Sequence, residues 1–329
     1  YYQFKRGDGW RPNSKYEQHI GFANVNYHIT ENLKISLDYT GMYYKAQQPG
    51  GLTDQLFEED PQQSIRSRNW FKVNWHLAAL RWNWRFKHST WSGRVFGLLA
   101  DRTALGYLGR IDRIDPMEER NLILGNFMNG GVESRYLWRY EMGQNGAGGF
   151  LIGARYYQGK TKARQGYGST GSDDHFQLLN ESEFPLSSDF TFPSRNVALF
   201  SENVFFINQD WSIVPGIRFE YINTASEGHY LYQVKHPLTD EVLYSENIYQ
   251  QDRKERSFVL LGVGSNYRVL GDSLEVYGNF SQNYRGINFN DIKINNPNFK
   301  VDTAIQDERG YNFDLGIRGQ IGAIFSYDA

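Results

Sequence analysis

Phe71-Lys72-Val73-Asn74-Trp75-His76-Leu77-Ala78-Ala79-Leu80-Arg81-Trp82-Asn83-Trp84-Arg85-Phe86 alternates apolar and polar residues along nearly its whole length. Phe71, Val73 and Trp75 oppose Lys72, Asn74 and His76; Leu80, Trp82, Trp84 and Phe86 oppose Arg81, Asn83 and Arg85. Successive side chains of a β-strand point to opposite faces, so this stretch reads as a strand with one greasy and one polar face. The parity changes at Leu77–Ala79, where a bulge within one long strand is expected.

The pattern recurs on both sides of this stretch. Leu33, Ile35, Leu37 and Tyr39 oppose Lys34, Ser36 and Asp38; Ile213, Pro215, Ile217, Phe219 and Tyr221 oppose Gly216, Arg218 and Glu220. Leu274, Val276 and Phe280 oppose Glu275, Tyr277, Asn279 and Ser281, and Tyr311, Phe313, Leu315 and Ile317 oppose Asn312, Asp314, Gly316 and Arg318. Short turns are expected near Thr30–Asn32, Lys87–Thr90, Gly143–Gly148, Asn208–Asp210 and Leu270–Asp272. Long polar loops are expected near 45–68, 107–130, 159–194, 225–254 and 287–309. Short and long connectors take turns, so about twelve antiparallel strands would carry tight turns at one end and long loops at the other, as transmembrane barrels do. A propeller would show a shared repeat, which is not seen, and a sandwich would mix its connection lengths.

Composition agrees. Only 40% of the 329 residues are hydrophobic, yet 23 Tyr, 22 Phe and 8 Trp are present. Many rings with little aliphatic mass suit side chains stationed at lipid–water boundaries. No apolar run reaches the roughly 18 residues of a transmembrane helix. The 35 basic and 37 acidic residues leave a charge of −2, which gives no nucleic-acid footprint. There is no cysteine. The polar face carries Arg81, Arg85, Arg155, Arg218, Glu220, Glu275, Asn279, Arg285, Asp314 and Arg318. That charge density requires a wet or plugged lumen rather than a dry core.

Four blocks then carry a family resemblance. They are Gln48-Pro49-Gly50-Gly51-Leu52-Thr53-Asp54 with Asp60-Pro61-Gln62-Gln63-Ser64 and Arg66-Ser67-Arg68-Asn69-Trp70-Phe71; Asn196–Asn203 with Pro215–Glu220; Val276–Arg285 with Asn288-Phe289-Asn290-Asp291-Ile292; and Tyr311–Gly319. Spread in order over most of the chain, they resemble TonB-dependent outer-membrane receptors of the ferric-dicitrate and siderophore class. The resemblance implies an all-β transmembrane antiparallel barrel of about 22 strands around a plug domain. It places the protein in the bacterial outer membrane, among lipid and lipopolysaccharide. It implies import of an anionic ferric chelate, coupled to the TonB energy-coupling complex through the plug, with no cofactor of the protein's own. Neither plug nor TonB box is present in residues 1–329. The chain ends Ser326-Tyr327-Asp328-Ala329, where this class of barrel finishes on an aromatic residue. It is therefore read as an internal fragment whose remaining strands lie elsewhere.

Arginine recognises chelate oxygens best, through its planar fork. The candidate ligand-binding residues near the outer mouth are Arg66 and Arg68 at the base of the first long loop, Arg155 before the third, and Arg285 with Asn288 before the fifth. Pro49-Gly50-Gly51 is expected to shape a turn. Asp173-Asp174-His175 has no further ligand at metal-site spacing and reads as solvated loop, and Gly262-Val263-Gly264 reads as strand glycines. Seven His and no Gly-x-Ser-x-Gly elbow give little support to an enzyme. The alternatives are a receptor for a glycan, cobalamin or peptide, and a structural barrel held among other envelope proteins.

Overall fold

The computed structural model describes residues 1–141, 147–236, 241–287, 305–321 and 325–328. One antiparallel sheet of thirteen strands runs in chain order: β1 (Tyr2–Gly7), β2 (Tyr16–His28), β3 (Leu33–Gln47), β4 (Trp70–Arg85), β5 (Ser89–Gly106), β6 (Arg120–Glu141), β7 (Ala147–Gly168), β8 (Ser188–Phe206), β9 (Trp211–Lys235), β10 (Val242–Arg268), β11 (Glu275–Arg285), β12 (Glu308–Ile321) and β13 (Phe325–Asp328). That is one strand more than the sequence reading gives. A six-residue helix, α1 (Asp54–Glu59), is capped by the Thr53 side chain and lies in the connection from β3 to β4.

Residues paired across strands share a face. One row is Leu37, Leu80, Val95, Val132, Tyr156, Val197 and Tyr221, running from β3 to β9. The adjacent row on the opposite face is Ser36, Arg81, Arg94, Glu133, Arg155, Ala198 and Glu220. A shift of one residue thus exchanges an apolar surface for a charged one. The apolar face is open: Leu99, Leu199, Leu315 and Phe313 are each more than half exposed. The charged face is cross-linked by Arg81–Asp38, Arg135–Glu133 at 2.6 Å and Arg318–Glu275.

On β3 the outward apolar residues run from Leu33 to Tyr43. Ten residue steps span about 34 Å, or about 25 Å once tilted by about 40°, which is the height of a lipid-facing band. At its short-turn end lie Trp84, Trp91 and Tyr136 in one row, with Trp84 and Phe86 rings 5.0 Å apart. The tight turns fall where expected. Phe86 N–H donates to the Ser89 carbonyl at 2.8 Å, and the Asn208 side chain accepts from Asp210 and Trp211 N–H. Of the turn expected at Gly143–Gly148, residues 142–146 lie outside the described residues.

Two expectations are corrected. Leu77–Ala79 is not a bulge: β4 pairs with β3 and β5 in unbroken register from Trp70 to Trp84. The parity change is real but means something else. Leu80 and Trp84 face outward in the lipid band, whereas Trp75, Val73 and Phe71 face inward, from the upper edge of that band to just above it.

The long loops are also shorter than read. The second is 107–119, the third 169–187, and most of 225–254 is paired strand, with Lys235 opposite Val242. Above the lipid band both faces of a strand meet polar surroundings, so the apolar–polar contrast that marks a strand disappears while the backbone pairing continues. The fifth loop falls largely outside the described residues.

Candidate functional site: the inner wall and its loop rim

Three connections, 48–69, 107–119 and 169–187, meet at the loop-bearing end and are fastened by arginines. Arg66 is 3% exposed, Arg68 2% and Arg120 0%. Arg66 donates to the carbonyls of Ile65, Gly109, Arg110 and Arg113. Arg68 forks onto the Asp115 carboxylate and also donates to the carbonyls of Glu118 and Thr170. Arg120 donates to the Ser169, Arg68 and Asp173 carbonyls. Burial alone would raise the Asp115 carboxyl, but the bonds from Arg68 and from Met117 N–H outweigh it and hold it below the ordinary carboxylate range. Pro49-Gly50 forms the expected turn, with Gly50 at φ +80° and the Pro49 carbonyl accepting from Ile65 and Arg66 N–H.

Asp173 and Asp174 belong to the same fastening. Asp173 meets Arg120 at 3.3 Å, and Asp174 meets Lys45 at 2.6 Å. Among the described residues no group of His, Asp or Glu is arranged to hold a metal. The 169–187 segment also packs apolar side chains onto the sheet: Leu186 is buried with Leu105 and Leu122.

Below this rim, the inward face of β3–β6 is aromatic. Tyr44, Phe71, Val73, Trp75, Ile123 and Phe127 share it, as the pairings Tyr44↔Val73, Ala46↔Phe71, Met42↔Trp75, Ala100↔Phe127 and Ala104↔Ile123 require. Arg102 stands among them, paired with Val73 and Gly125, with its guanidinium 5.9 Å from the Phe127 ring centre. Arg102 is exposed, and among the described residues it has no carboxylate partner. At Gly125 a Cβ would press on the Phe127 ring at 3.2 Å. A basic residue there would crowd the same space.

A family model for the TonB dependent receptor-like β-barrel matches residues 2–329. The chain belongs to the TonB-dependent receptor β-barrel family. Among solved structures, this receptor barrel is similar to the unliganded ferric citrate transporter FecA (TM-score 0.77, 21% identity, covering 98% of this chain and 43% of that one). It is also similar to the ferric yersiniabactin uptake receptor FyuA from Yersinia pestis (TM-score 0.67, 14% identity, 98% and 46%). A third likeness is to the ferric-catecholate import receptor Fiu from E. coli K12 in its closed form (TM-score 0.67, 11% identity, 98% and 51%). At these identities the likeness is one of fold, and the chain spans about half the length of each. No curated protein matches it in sequence. The family is one of outer-membrane receptors, not an enzyme class. The apolar row of this TonB-dependent receptor barrel therefore faces the lipid of the bacterial outer membrane, and the charged row faces its lumen.

The residues singled out in the receptor's sequence end up at different depths. Arg66 and Arg68 lie inside the loop rim. Arg155 is not at the mouth: β7 continues to Gly168, so Arg155 sits mid-wall between Glu133 and Ala198, 5.9 Å from the Phe96 ring centre. Arg285 ends β11 at the rim, 79% exposed and 3.7 Å from Glu308. Asn288 lies outside the described residues. Arg120 and Arg102 were not singled out. Arg120 opens a strand that begins ten residues before the expected end of its loop. Arg102 could have been found by carrying the parity of Arg94 upward along β5.

Proposed function

We propose that this barrel belongs to an importer of an anionic ferric chelate, working with a plug and the TonB energy-coupling complex. The observation that supports it is Arg102: a guanidinium with no carboxylate partner among the described residues, held on an aromatic inner wall below the loop rim. A cation without a counter-ion attracts an anionic ligand, and flanking rings exclude water and strengthen that attraction. Arg285 offers a second donor higher up, at the rim. Arg155 stands deeper, along the route a released chelate would take. Arg66 and Arg68 act in this reading by shaping the mouth, because their donors are already satisfied by the protein. The cargo is a chelate of the ferric citrate or siderophore class.

The test is binding of ferric dicitrate and of a ferric tris-catecholate to the full-length receptor with Arg102 intact or as Arg102→Ala. Removing a charge-assisted hydrogen bond weakens binding about ten- to a hundredfold. Unchanged affinity for both chelates removes Arg102 from the site. Binding of a neutral oligosaccharide that ignores Arg102 but fails in Trp75→Ala supports the glycan-receptor alternative, since the rings could stack on sugar faces.

A further inference from the structure

Strand β8 begins at Ser188, while its neighbours β7 and β9 run on to Gly168 and Lys235. Above Ser188 those two strands have lost their common neighbour, and a recess of about 500 Å³ lies at the gap. Polar side chains of Asn121, Gln165, Tyr167 and Gln233 line it together with apolar Ile123 and Leu231, and none of its lining residues is charged. Loop 169–187 closes it from outside, where Leu178 and Leu186 lie against Gly166. The pairings Asn121↔Tyr167 and Ile123↔Gln165 put those four side chains on the inward face, so the approach is from the lumen.

Two of the polar groups lack partners. Gln165 is 8% exposed, yet its carboxamide has no hydrogen-bond partner among the described residues. The same holds for the Tyr167 hydroxyl, whose ring lies 6.2 Å from that of Phe184. Asn121 accepts from the Leu108 N–H at 3.3 Å, which leaves its amide donors open. A buried amide left unbonded is costly, so it calls for a partner from outside the chain. The recess also stands close to Arg102. Arg102 pairs with Gly125, and Gly125 with Ala163, one same-face step below Gln165. Two strand spacings across and one step up put the Arg102 and Gln165 Cα atoms about 12 Å apart on one wall.

We propose that this recess takes an uncharged arm, bearing amide or hydroxyl groups, of the chelate whose anionic centre Arg102 holds. The inference rests on the chelate reading above and narrows it to chelates with a neutral hydrogen-bonding extension, which ferric dicitrate lacks. The Gln165 carboxamide offers donors and an acceptor, and the Tyr167 hydroxyl offers both as well. A charged arm would enter the recess without a counter-ion, at a large desolvation cost. Ile123 and Leu231 cover the carbon skeleton of the arm.

The full-length receptor is titrated with two hexadentate ferric tris-catecholates of equal charge, a parent compound and the same compound carrying a glycinamide arm. Gln165→Leu weakens binding of the armed chelate about tenfold and leaves the parent within about twofold, whereas Arg102→Ala weakens both. Parent binding thereby reports that the Gln165 variant folds. If Gln165→Leu loses both chelates, Tyr167→Phe, which removes one hydroxyl, decides the matter by the same comparison. Equal affinity of wild type and these variants for the armed chelate, with the Arg102→Ala effect intact, overturns this inference alone. No effect of Arg102→Ala on either chelate overturns the reading beneath it.

Discussion

The Arg120 guanidinium donates to the backbone carbonyl of Arg68 at 3.0 Å, so one buried arginine fixes the chain that carries the other. Arg120 reaches loop 169–187 and Arg68 reaches loop 107–119, and the two together make three loops one body.

Arg68→Ala strands the buried Asp115 carboxylate and is expected to cost about 3–5 kcal/mol locally. Arg120→Ala acts on the same body, so the double variant is non-additive by about 0.5–3 kcal/mol. Arg68→Lys does not restore the loss, because an ammonium cannot fork onto Asp115. Hydrogen exchange in 107–119 and 169–187 reads the effect, while exchange in the strands at the turn end stays slow.

Asp115 also sets a pH limit. Its folded pKa lies below its unfolded value of about 3.9. A lowered carboxylate contributes stability that is present above the unfolded pKa and is lost as pH falls through the folded one. The rim therefore stays closed from pH 8 to 5 and opens only below about pH 4. Trp70 donates to the Ser172 carbonyl at 2.8 Å, so its fluorescence reports the opening, with Trp70→Phe as the blank. Asp115→Asn removes the acid step.

Gly93 sits beneath the Trp82 ring on the outward face and against the Glu133 carbonyl oxygen. A methyl there overlaps both, so Gly93→Ala lowers stability in detergent by about 1–3 kcal/mol. Adding Trp82→Ala recovers only part of the loss, because the Glu133 oxygen belongs to the backbone and cannot swing away. Full recovery would show that the strand spacing yields more easily than this geometry requires.

Asp307 accepts from Arg256, the Tyr284 hydroxyl and Ile287 N–H, with Lys254 at 3.0 Å. Arg256 is buried, so Asp307→Asn leaves its guanidinium without a counter-charge and is expected to cost about 3–5 kcal/mol locally. Hydrogen exchange at Tyr284–Ile287 measures the change. Unaltered exchange there would show that the cluster does not fasten these strands.

How much of this could be read from the sequence follows from where water is. In the lipid band each strand has one apolar face, so Leu33–Tyr39 and Leu80–Phe86 disclose themselves by alternation. At Phe71–Trp75 the alternation persists with the faces exchanged, because the outward residues turn polar at the upper edge of the lipid band and the inner wall is aromatic there. In Ser226–Gly228 and Gln250–Lys254 nothing apolar alternates, and paired strand reads as loop. Arginines pose the harder problem. Arg66, Arg68 and Arg102 are alike in sequence, and only the position of the carbonyls and of Asp115 separates two fastened side chains from one left free of them.

The lipid and lumenal faces are set apart most sharply along β4. Nitroxide labels placed singly at residues 76 to 85 of the full-length receptor in bilayers measure its facing, through relaxation by oxygen and by a water-soluble nickel chelate. Oxygen should dominate at 76, 78, 80, 82 and 84 and the nickel chelate at 77, 79, 81, 83 and 85, with no change of phase at 77–79. Equal access of the nickel chelate to both sets, or a phase change at Leu77–Ala79, would contradict the assignment of lipid and lumenal faces.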